Sequence, residues 1–229
     1  MFRDEAQIDA LNAAARQKSG DAAAVYQEGA APGRLMFKDV NGDGLVNGDD
    51  LGPIGSPNPT FTGGLNLGLT YKRVDIGATV FGTFGNKIYN AQKEFDVFRL
   101  FDENCRQDLL ANSWTPNNLN AKFPRLDIND KYSSQPSSYY VENGSYVRLR
   151  SIQLGYAVPP KLLPGYRNVR VYLEAENLFT ITGYDELDPA LPAQAATSAG
   201  MDVRDQSRGI DRGVYPSNRV FSVGFSIGF

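Results

Sequence analysis

The sequence predicts an all-β protein made of antiparallel strands of a transmembrane β-barrel, and three observations favour that fold. Apolar residues alternate with small or polar residues over stretches of about ten residues, which is the period of a strand with two different faces. The connections between these stretches alternate between short and long. The last stretch keeps the alternation up to Phe229. This combination is typical of outer-membrane barrels, which have short periplasmic turns and long extracellular loops.

Residues 1–60 come before the alternating stretches, and we expect them to form an extracellular loop segment. Residues 4–17 are rich in Ala and place Ile8 and Leu11 on one helical face, which predicts a short helix. A Gly/Ala/Pro stretch up to Gly33 ends this helix. The segment that follows, FKDVNGDGLVNGDDLGPIGSPNP, contains too many Gly, Asp and Pro for a regular element.

Residues 61–229 contain the five predicted strands. The first two form a hairpin that turns near Arg73, and the next two are SYVRLRSIQLGYAV and VRVYLEAENLF, joined by the turn PPKLLPGYRN. In the third strand the apolar parity changes. That change predicts either a β-bulge near Arg150 or an upper strand half outside the membrane. The fifth strand is RVFSVGFSIGF.

Two segments between the strands lose the alternation and are predicted to be long extracellular loops, 88–140 and 183–216. Five strands cannot enclose a lumen, because the smallest membrane barrels need about eight. An open sheet edge in lipid is not viable. We therefore expect the chain to be a fragment, or to complete a barrel with another chain.

Composition excludes several kinds of function. The formal charge is −3 and no run of Lys or Arg is present, which argues against nucleic-acid binding. The sequence has no His, so Ser-His-Asp and His-zinc chemistry are excluded. Cys105 is the only cysteine and permits no internal disulfide. Neither a transmembrane helix nor a signal peptide is evident, an absence that has meaning only if Met1 is the true start.

The loop D-V-N-G-D-G-L-V-N-G-D-D, residues 39–50, matches the spacing of an EF-hand-type calcium loop. Calcium needs several hard oxygen ligands that converge from one short segment. The predicted ligands, with Leu45 through its backbone carbonyl, are Asp39, Asn41, Asp43, Leu45, Asn47 and Asp50. Pro53 and Pro57 follow at once, so flanking EF-hand helices are missing and a structural Ca²⁺ is expected rather than a sensor. The alternative is an Asn/Asp/Gly turn whose carboxylates cap their own backbone.

Four segments, in order, resemble the SusC/RagA family of TonB-linked outer-membrane proteins and together cover residues 37 to 229. They are FKDVNGDGLVNGDD with IGSPNPTFTGGLNLGLTYKRVDI, then VENGSYVRLRSIQLGYAVP, then VRVYLEAENLFTITGYDELDPA, and finally GIDRGVYPSNRVFSVGFSIGF. MFRDEAQIDALN is similar to an internal segment of the family, so Met1 is expected to be an internal methionine. The chain departs from the family pattern at Glu186, Leu187 and Asp188, where a glycine is usual.

This resemblance implies a transporter rather than an enzyme. It implies the C-terminal strands of a large antiparallel transmembrane barrel in the outer membrane, with the N-terminal plug absent from this chain. Family members pair with a SusD-like lipoprotein, import oligosaccharides or peptides, and receive energy through TonB. In this chain TonB would act through the missing N-terminal region.

Two kinds of site residue are predicted from the loops and the last strand. Trp114 and Tyr184 are aromatic residues in the two long loops, and we expect them to stack on a glycan or peptide substrate. The last strand, with Phe225 and the terminal Phe229, resembles the signal by which barrel precursors are recognised during assembly. Its physical basis would be strand addition.

Two other classes of protein stay open at this point. One is a secreted calcium-dependent carbohydrate-binding β-sandwich, because its strands also alternate. The other is a hydrolase with paired carboxylates, for which Asp127 with Asp130 or Glu186 with Asp188 could serve. Solubility without detergent would favour the sandwich.

Overall fold

The computed structural model describes residues 1–98, 106–163, 165–191 and 207–228. The chain is mostly β-structure with few helices, and it divides into two compact units. The first unit contains Met1–Ile54 and Asn90–Tyr140, and the second contains Gly55–Tyr89 and Val141–Phe229. Most of the first predicted loop therefore groups with the N-terminal segment.

The first unit contains the helices α1 (Glu5–Ser19), α2 (Gln92–Phe98) and α3 (Leu109–Asn112). The predicted N-terminal helix is confirmed: Asp4 caps α1 by accepting from the backbone N–H of Gln7 at 2.8 Å, and Gly20 ends it. None of the helices in the described ranges is both long enough and apolar enough to cross a membrane.

The predicted loop 88–140 is not structureless. It contains α2, α3 and a 3₁₀ turn at Ser138–Tyr140. A small hydrophobic core forms around Val97, Leu109 and Phe123. These elements were missed because each is seven residues or shorter, which is too short for a helical period to show.

The strands are β1 (Phe61–Tyr71), β2 (Val74–Phe84), β3 (Lys87–Asn90), β4 (Val141–Asn143), β5 (Tyr146–Ala157), β6 (Arg167–Thr182), β7 (Ile210–Asp211) and β8 (Val220–Gly228). The main sheet has the order β1-β2-β5-β6-β8, and all its pairs are antiparallel. It contains the five predicted strands, which are confirmed. A second sheet of three short strands has the order β4-β3-β7.

The main sheet has one apolar face and one polar face, because residues paired across antiparallel strands point to the same side. One apolar row consists of Leu69, Ile76, Leu154, Leu173 and Val223. The neighbouring row on the polar face consists of Gly68, Gly77, Gln153, Glu174 and Ser222. The predicted alternation therefore runs in register across all five strands.

The apolar face is exposed rather than packed. Leu69 is 67% exposed and Val223 is 76% exposed. A β-sandwich buries one face of each sheet against the other sheet. Within the part of the chain that the structure describes, nothing covers these side chains, whereas a sandwich would bury them under a second sheet.

A β-bulge lies at Arg150, which confirms the first of the two predicted explanations for the parity change. Ser151 pairs with Thr79, whereas Leu149 pairs with Val80, so Arg150 has no partner on β2. One extra residue reverses the faces of everything beyond it. The reversal places Arg148 on the polar face, although the alternation of the lower half would put it on the apolar face.

Candidate functional site on the polar face and its loops

A buried ion pair joins β5 to the second predicted long loop. The Nη2 atom of Arg148 contacts Oδ1 of Asp188, and the two side chains are 8% and 9% exposed. Arg148 also donates from Nε to Oγ1 of Thr180 at 2.8 Å and from Nη1 to Oγ of Ser217 at 3.1 Å. One guanidinium therefore holds both the beginning and the end of this loop.

Asp188 is held in its ionised form. Burial by itself raises the pKa of this carboxyl, but the hydrogen bonds that it accepts outweigh burial and leave its pKa below the ordinary value. Those bonds come from the backbone N–H groups of Ser217 at 3.0 Å and Ala190 at 2.8 Å, and from Arg148. This carboxylate therefore serves as a structural anchor, which speaks against Glu186 with Asp188 as the catalytic pair of the hydrolase alternative.

Tyr184 is buried in the same loop. Its hydroxyl donates to Oδ2 of Asp211 at 2.7 Å, and Oδ1 of Asp211 accepts from the N–H groups of Gly213 and Val214. Burial and then the bond to Asp211 raise the pKa of Tyr184 far above its ordinary value, so the phenol stays protonated. In this structure the ring is 6% exposed and has a packing role. Its contact with substrate stays a prediction.

Trp114 is buried within the first unit. Its ring lies so close to Gly33 that a Cβ at that glycine, which has a φ of +84°, would be 2.4 Å from the ring. The backbone N–H of Trp114 donates to the carbonyl of Phe123 at 2.9 Å. The ring nitrogen Nε1 is buried without a hydrogen-bond partner in the described residues. The structure gives Trp114 no open face, and its contact with substrate also stays a prediction.

The predicted calcium loop folds as a set of side-chain caps. Asp39 accepts from the N–H groups of Gly42 at 2.6 Å and Gly44 at 2.9 Å, and Asp43 accepts from the N–H group of Leu45 at 2.8 Å. Asn41 accepts from the N–H group of Asp43 at 2.8 Å. These are the bonds of an Asn/Asp/Gly turn.

The end of the same loop returns to its beginning. Oδ1 of Asp50 accepts from the N–H group of Val40 at 2.7 Å, and Oδ2 accepts from that of Asn47 at 2.9 Å. The N–H groups of Asn47 and Val40 hold the pKa of Asp50 below its ordinary value. Over the described ranges, no three acidic side chains converge closely enough to form a metal-binding group. The oxygen donors suit Ca²⁺, and each carboxylate that caps an N–H keeps further lone pairs.

The other nominated catalytic pair, Asp127 with Asp130, has structural roles. Oδ2 of Asp127 accepts from Nη2 of Arg125 at 2.6 Å and from Nη2 of Arg34 at 2.7 Å, and these arginines hold the pKa of Asp127 well below its ordinary value. Oδ1 of Asp130 caps the backbone by accepting from Tyr132 and Ser133. A carboxylate held by two guanidinium groups is a poor general acid.

The lower part of the polar face carries charged side chains. Arg170 donates from Nε to Oδ1 of Asp75 at 3.0 Å and from Nη2 to Oε1 of Gln153 at 2.7 Å. Glu174 and Glu176 lie on the same face in neighbouring rows. This face is hydrophilic, as the interior of a water-filled barrel would be.

The last strand has the predicted faces. The residues that share the apolar face of β8 and are exposed are Phe221, Val223, Phe225 and Ile227. Phe229 lies outside the described residues. The role of Phe225 and Phe229 in barrel assembly stays a prediction.

Sequence reasoning missed Arg148, Ser217 and Asp211 as loop anchors. A signal was present for Arg148, since it stands at the parity change of its strand. No comparable local signal marks Asp211, because its partner Tyr184 is 27 residues away.

Comparisons with known proteins agree with this fold. The chain is 34% identical over 203 residues to TonB-dependent receptor P3 of Formosa agariphila, a match of 86% of this chain and 19% of the relative. It is 30% identical over 199 residues to TonB-dependent receptor P26 of the same organism, covering 86% and 20%. It is 26% identical over 208 residues to TonB-dependent receptor SusC of Bacteroides thetaiotaomicron, covering 90% and 18%. No model of a known protein family matches the chain.

Among solved structures, the chain is similar to a structure of the RagAB peptide transporter. That match has a TM-score of 0.58 and 28% identity, and it covers 73% of this chain and 17% of that chain. A structure of the RagAB peptide importer in an open-open state matches with a TM-score of 0.56 and 26% identity, covering 75% and 17%. The chain thus spans about a fifth of the length of the curated relatives that it matches. These relatives are receptors and transporters rather than enzymes, and over most of its length this chain is a homologue of the TonB-dependent receptors of the SusC/RagA type.

Proposed function

We propose that this chain forms part of the wall and the outer loops of a TonB-dependent outer-membrane importer of oligosaccharides or peptides. The observation that carries this proposal is the main sheet with its two faces. Rows such as Leu69, Ile76 and Leu154 are apolar and exposed, while the opposite rows are small or polar. A wall between lipid and a hydrated lumen needs this division.

The strand lengths support a membrane-spanning wall. β1 and β2 are each 11 residues long. At about 3.3 Å per residue and a tilt of about 40°, such strands span about 25–30 Å, which is the thickness of the hydrocarbon core. In the main sheet, β1 and β8 each have one edge that pairs with no described strand. In a closed barrel these two edges pair with further strands, because unpaired backbone groups are not viable in lipid.

The proposed partners are a SusD-like surface lipoprotein and TonB, the latter through a region outside this chain. The similarity to SusC and to the RagAB transporter supports this part of the proposal. RagAB is a peptide transporter, whereas the polar face of this chain carries carboxylates, a guanidinium and hydroxyls that suit either a peptide or a glycan.

Uptake by intact cells tests the transport function. Cells with the receptor that contains this chain should accumulate a labelled peptide or a labelled oligosaccharide, and collapse of the proton gradient should stop the accumulation. A SusD-like lipoprotein should copurify with the receptor in detergent. Recovery of the protein in the soluble fraction without detergent would contradict the membrane assignment. That result would favour the secreted β-sandwich instead.

We propose further that the loop 39–50 binds a structural Ca²⁺. The support is the register of the six oxygen-bearing positions together with the bond from Val40 to Asp50, which brings the end of the loop to its beginning. Calcium would draw the carboxylates of Asp39, Asp43 and Asp50 together and rigidify a turn that now depends on caps.

Calcium titration tests that site. The unfolding temperature of the receptor should rise with added Ca²⁺ and fall with a chelator, and Asp43→Asn should weaken the response. Asp49→Asn is the matched control, because Asp49 is outside the predicted ligand set. An unchanged unfolding temperature with calcium would show that the loop is only a turn.

The roles of Phe225 and Phe229 in assembly and of Trp114 and Tyr184 in substrate contact are also proposals. Deletion of Phe229 should lower the heat-resistant, membrane-inserted fraction, whereas Phe229→Tyr should insert normally. Normal insertion of both variants would mean that no terminal signal is read.

Trp114→Leu should weaken substrate binding if the ring contacts substrate, and unchanged affinity would leave Trp114 with packing alone.

A further inference from the structure

The chain contains Asn-Gly pairs, in which an asparagine side chain can react with its own backbone. Glycine has no side chain to keep its backbone nitrogen away from the neighbouring amide carbon, so that nitrogen can attack Cγ of the asparagine and close a five-membered ring. The pairs are Asn41 with Gly42, Asn47 with Gly48, and Asn143 with Gly144. Since all three share the same covalent chemistry, the structure decides which of them reacts.

The backbone nitrogen of Gly48 is available for this attack. Gly48 is the first residue of the 3₁₀ turn Gly48–Asp50, and the N–H group at this position has no acceptor within the turn. Among the described residues, no other group accepts from it. Asn47 and Gly48 are both exposed, so water reaches the reacting atoms.

In the other two pairs the glycine nitrogen is already hydrogen-bonded. The N–H of Gly42 donates to Oδ1 of Asp39 at 2.6 Å, which holds this amide in its turn. The N–H of Gly144, a buried residue, donates to the backbone carbonyl of Asn86 at 3.0 Å. Attack by either nitrogen would first have to break these bonds, which adds to the barrier.

The conformation of Asn47 also favours ring closure. Its Oδ1 accepts from the N–H of Asp49 at 2.7 Å, and this bond stabilises the negative charge that develops on the oxygen during attack. Closure needs a ψ of about −120°, the value at which the next nitrogen eclipses Cβ. The ψ of Asn47 is −164°, which is closer to that value than the ψ of about +135° in a strand or about −42° in a helix.

We propose that Asn47 is a site of spontaneous deamidation. The nitrogen of Gly48 bonds to Cγ of Asn47, the Cγ–Nδ2 bond breaks, and Nδ2 leaves as ammonia with the proton that the Gly48 nitrogen loses. Water then opens the succinimide ring. Opening at Cγ leaves Asp, and opening at the main-chain carbonyl leaves isoaspartate, in which the chain runs through Cβ. Water is the only co-reactant, and the proposal is independent of the transport function.

Isoaspartate at position 47 would loosen the end of the loop 39–50. It adds one carbon atom to the main chain between residues 47 and 48. Two bonds extend across this point, from the N–H of Asn47 to Oδ2 of Asp50 at 2.9 Å and from the N–H of Asp49 to Oδ1 of Asn47. The added atom changes the register of both bonds, so the segment before the exposed Leu51 loses its caps.

Ageing of the complete receptor in detergent tests the proposal. Mildly alkaline buffer is used, because attack requires the glycine nitrogen to lose its proton. Peptide mapping by mass spectrometry, with fragmentation that separates Asn41 from Asn47, measures the mass gain as each amide becomes a carboxylate. Asn47 should deamidate about tenfold faster than Asn41 or Asn143. Equal rates, a faster rate at another pair, or an unmodified Asn47 would overturn the proposal.

Gly48→Ala tests the attacking nitrogen without straining the loop. The φ of Gly48 lies outside the left-handed region, and a Cβ there would meet nothing within 4 Å. The rate at Asn47 should fall about tenfold in this variant. Gly52→Ala is the matched control, because a Cβ at Gly52 also meets nothing within 4 Å and Asn47 should keep its wild-type rate. An undiminished rate in Gly48→Ala contradicts ring closure through this residue.

Asp39→Ala tests the reason for the selectivity. The variant removes the acceptor of the Gly42 N–H and should raise the deamidation rate of Asn41 toward that of Asn47. If Asn41 stays as slow as in the wild type, the hydrogen bond of Gly42 does not protect this pair and the structural basis of the proposal is wrong.

Limited proteolysis measures the effect on the loop. Thermolysin cuts before leucine, and Leu51 is 83% exposed. Aged wild-type receptor should be cut at Leu51 faster than aged Gly48→Ala, whereas the two fresh proteins should be cut at the same rate. Equal cutting of the two aged proteins would show that the modification leaves the loop closed.

Discussion

Arg148 and Asp188 form an ion pair across 40 residues of sequence, with each side chain less than a tenth exposed. Arg148 stands on a strand that we assign to the barrel wall, and Asp188 stands in a loop. Their contact ties the loop to the wall, and Ser217 extends the contact to the end of the loop. Three separate sequence segments therefore depend on one buried charge pair.

Removing one partner of this pair should destabilise the protein strongly. Asp188→Asn keeps the size of the side chain but leaves the guanidinium of Arg148 buried without a counter-charge. The expected loss is about 3–5 kcal/mol in the free energy of unfolding. Denaturant titration of the detergent-solubilised receptor measures it.

The double variant Arg148→Met with Asp188→Leu is the control, because replacing both charges with apolar groups removes the unpaired charge. It should recover most of the stability that Asp188→Asn loses. Additive losses from the two positions would show that the pair has no coupling.

Tyr184→Phe should weaken the anchoring of the second loop. The change removes the hydrogen bond from the phenol hydroxyl and leaves Oδ2 of the buried Asp211 without that donor. The expected cost is about 1–3 kcal/mol in unfolding free energy. Tyr215→Phe is the matched control, because Tyr215 is 82% exposed and should change stability by less than about 0.5 kcal/mol. Equal effects of the two substitutions would argue against a special role for Tyr184.

The assignment of the two faces can be tested on adjacent residues. Val223→Arg places a charge on the exposed apolar face of β8, and we expect it to lower membrane insertion, at a cost of about 2–4 kcal/mol near the bilayer centre. Ser222→Arg places the same charge on the polar face and should be tolerated. The heat-resistant fraction in isolated outer membranes is the measurement. Reversed effects would mean that the faces are assigned the wrong way round.

The stability of the first unit should depend on pH through Asp127. Hydrogen bonds from Arg125 and Arg34 hold the folded-state pKa of this carboxyl below its unfolded value, which is about 3.9. The unfolded state therefore binds the proton first. The stabilisation is fully present above that value and is lost as pH falls through the folded pKa.

Thermal unfolding between pH 6 and pH 3 (about three units, chosen to bracket the unfolded pKa) measures this dependence. The wild-type unfolding temperature should fall more steeply with acidification than that of Asp127→Asn, which cannot titrate at this position. Parallel curves would exclude a contribution from Asp127.

The elements that the sequence predicts well are those with a local period. Helix α1, the five long strands, their faces and the break at Arg150 all follow from spacing within about fifteen residues. The partners of Arg148 and the burial of Trp114 and Tyr184 do not follow, because they depend on which distant segments the chain topology brings together. Trp114, for example, packs on Gly33, and no pattern in either segment points to the other.

The extra residue at position 150 gives β5 two phases of alternation. In the lower half, Ile152 and Leu154 lie on the apolar face that we assign to lipid. In the upper half, Arg148 lies on the polar face and contacts the loop residue Asp188. If Arg150 entered the regular ladder and the bulge were lost, Arg148 and Leu149 would exchange faces, and the guanidinium of Arg148 would point toward hydrocarbon. The bulge therefore sets the side on which Arg148 lies, and deletion of Arg150 itself would remove the bulge while leaving the faces of Arg148 and Leu149 unchanged.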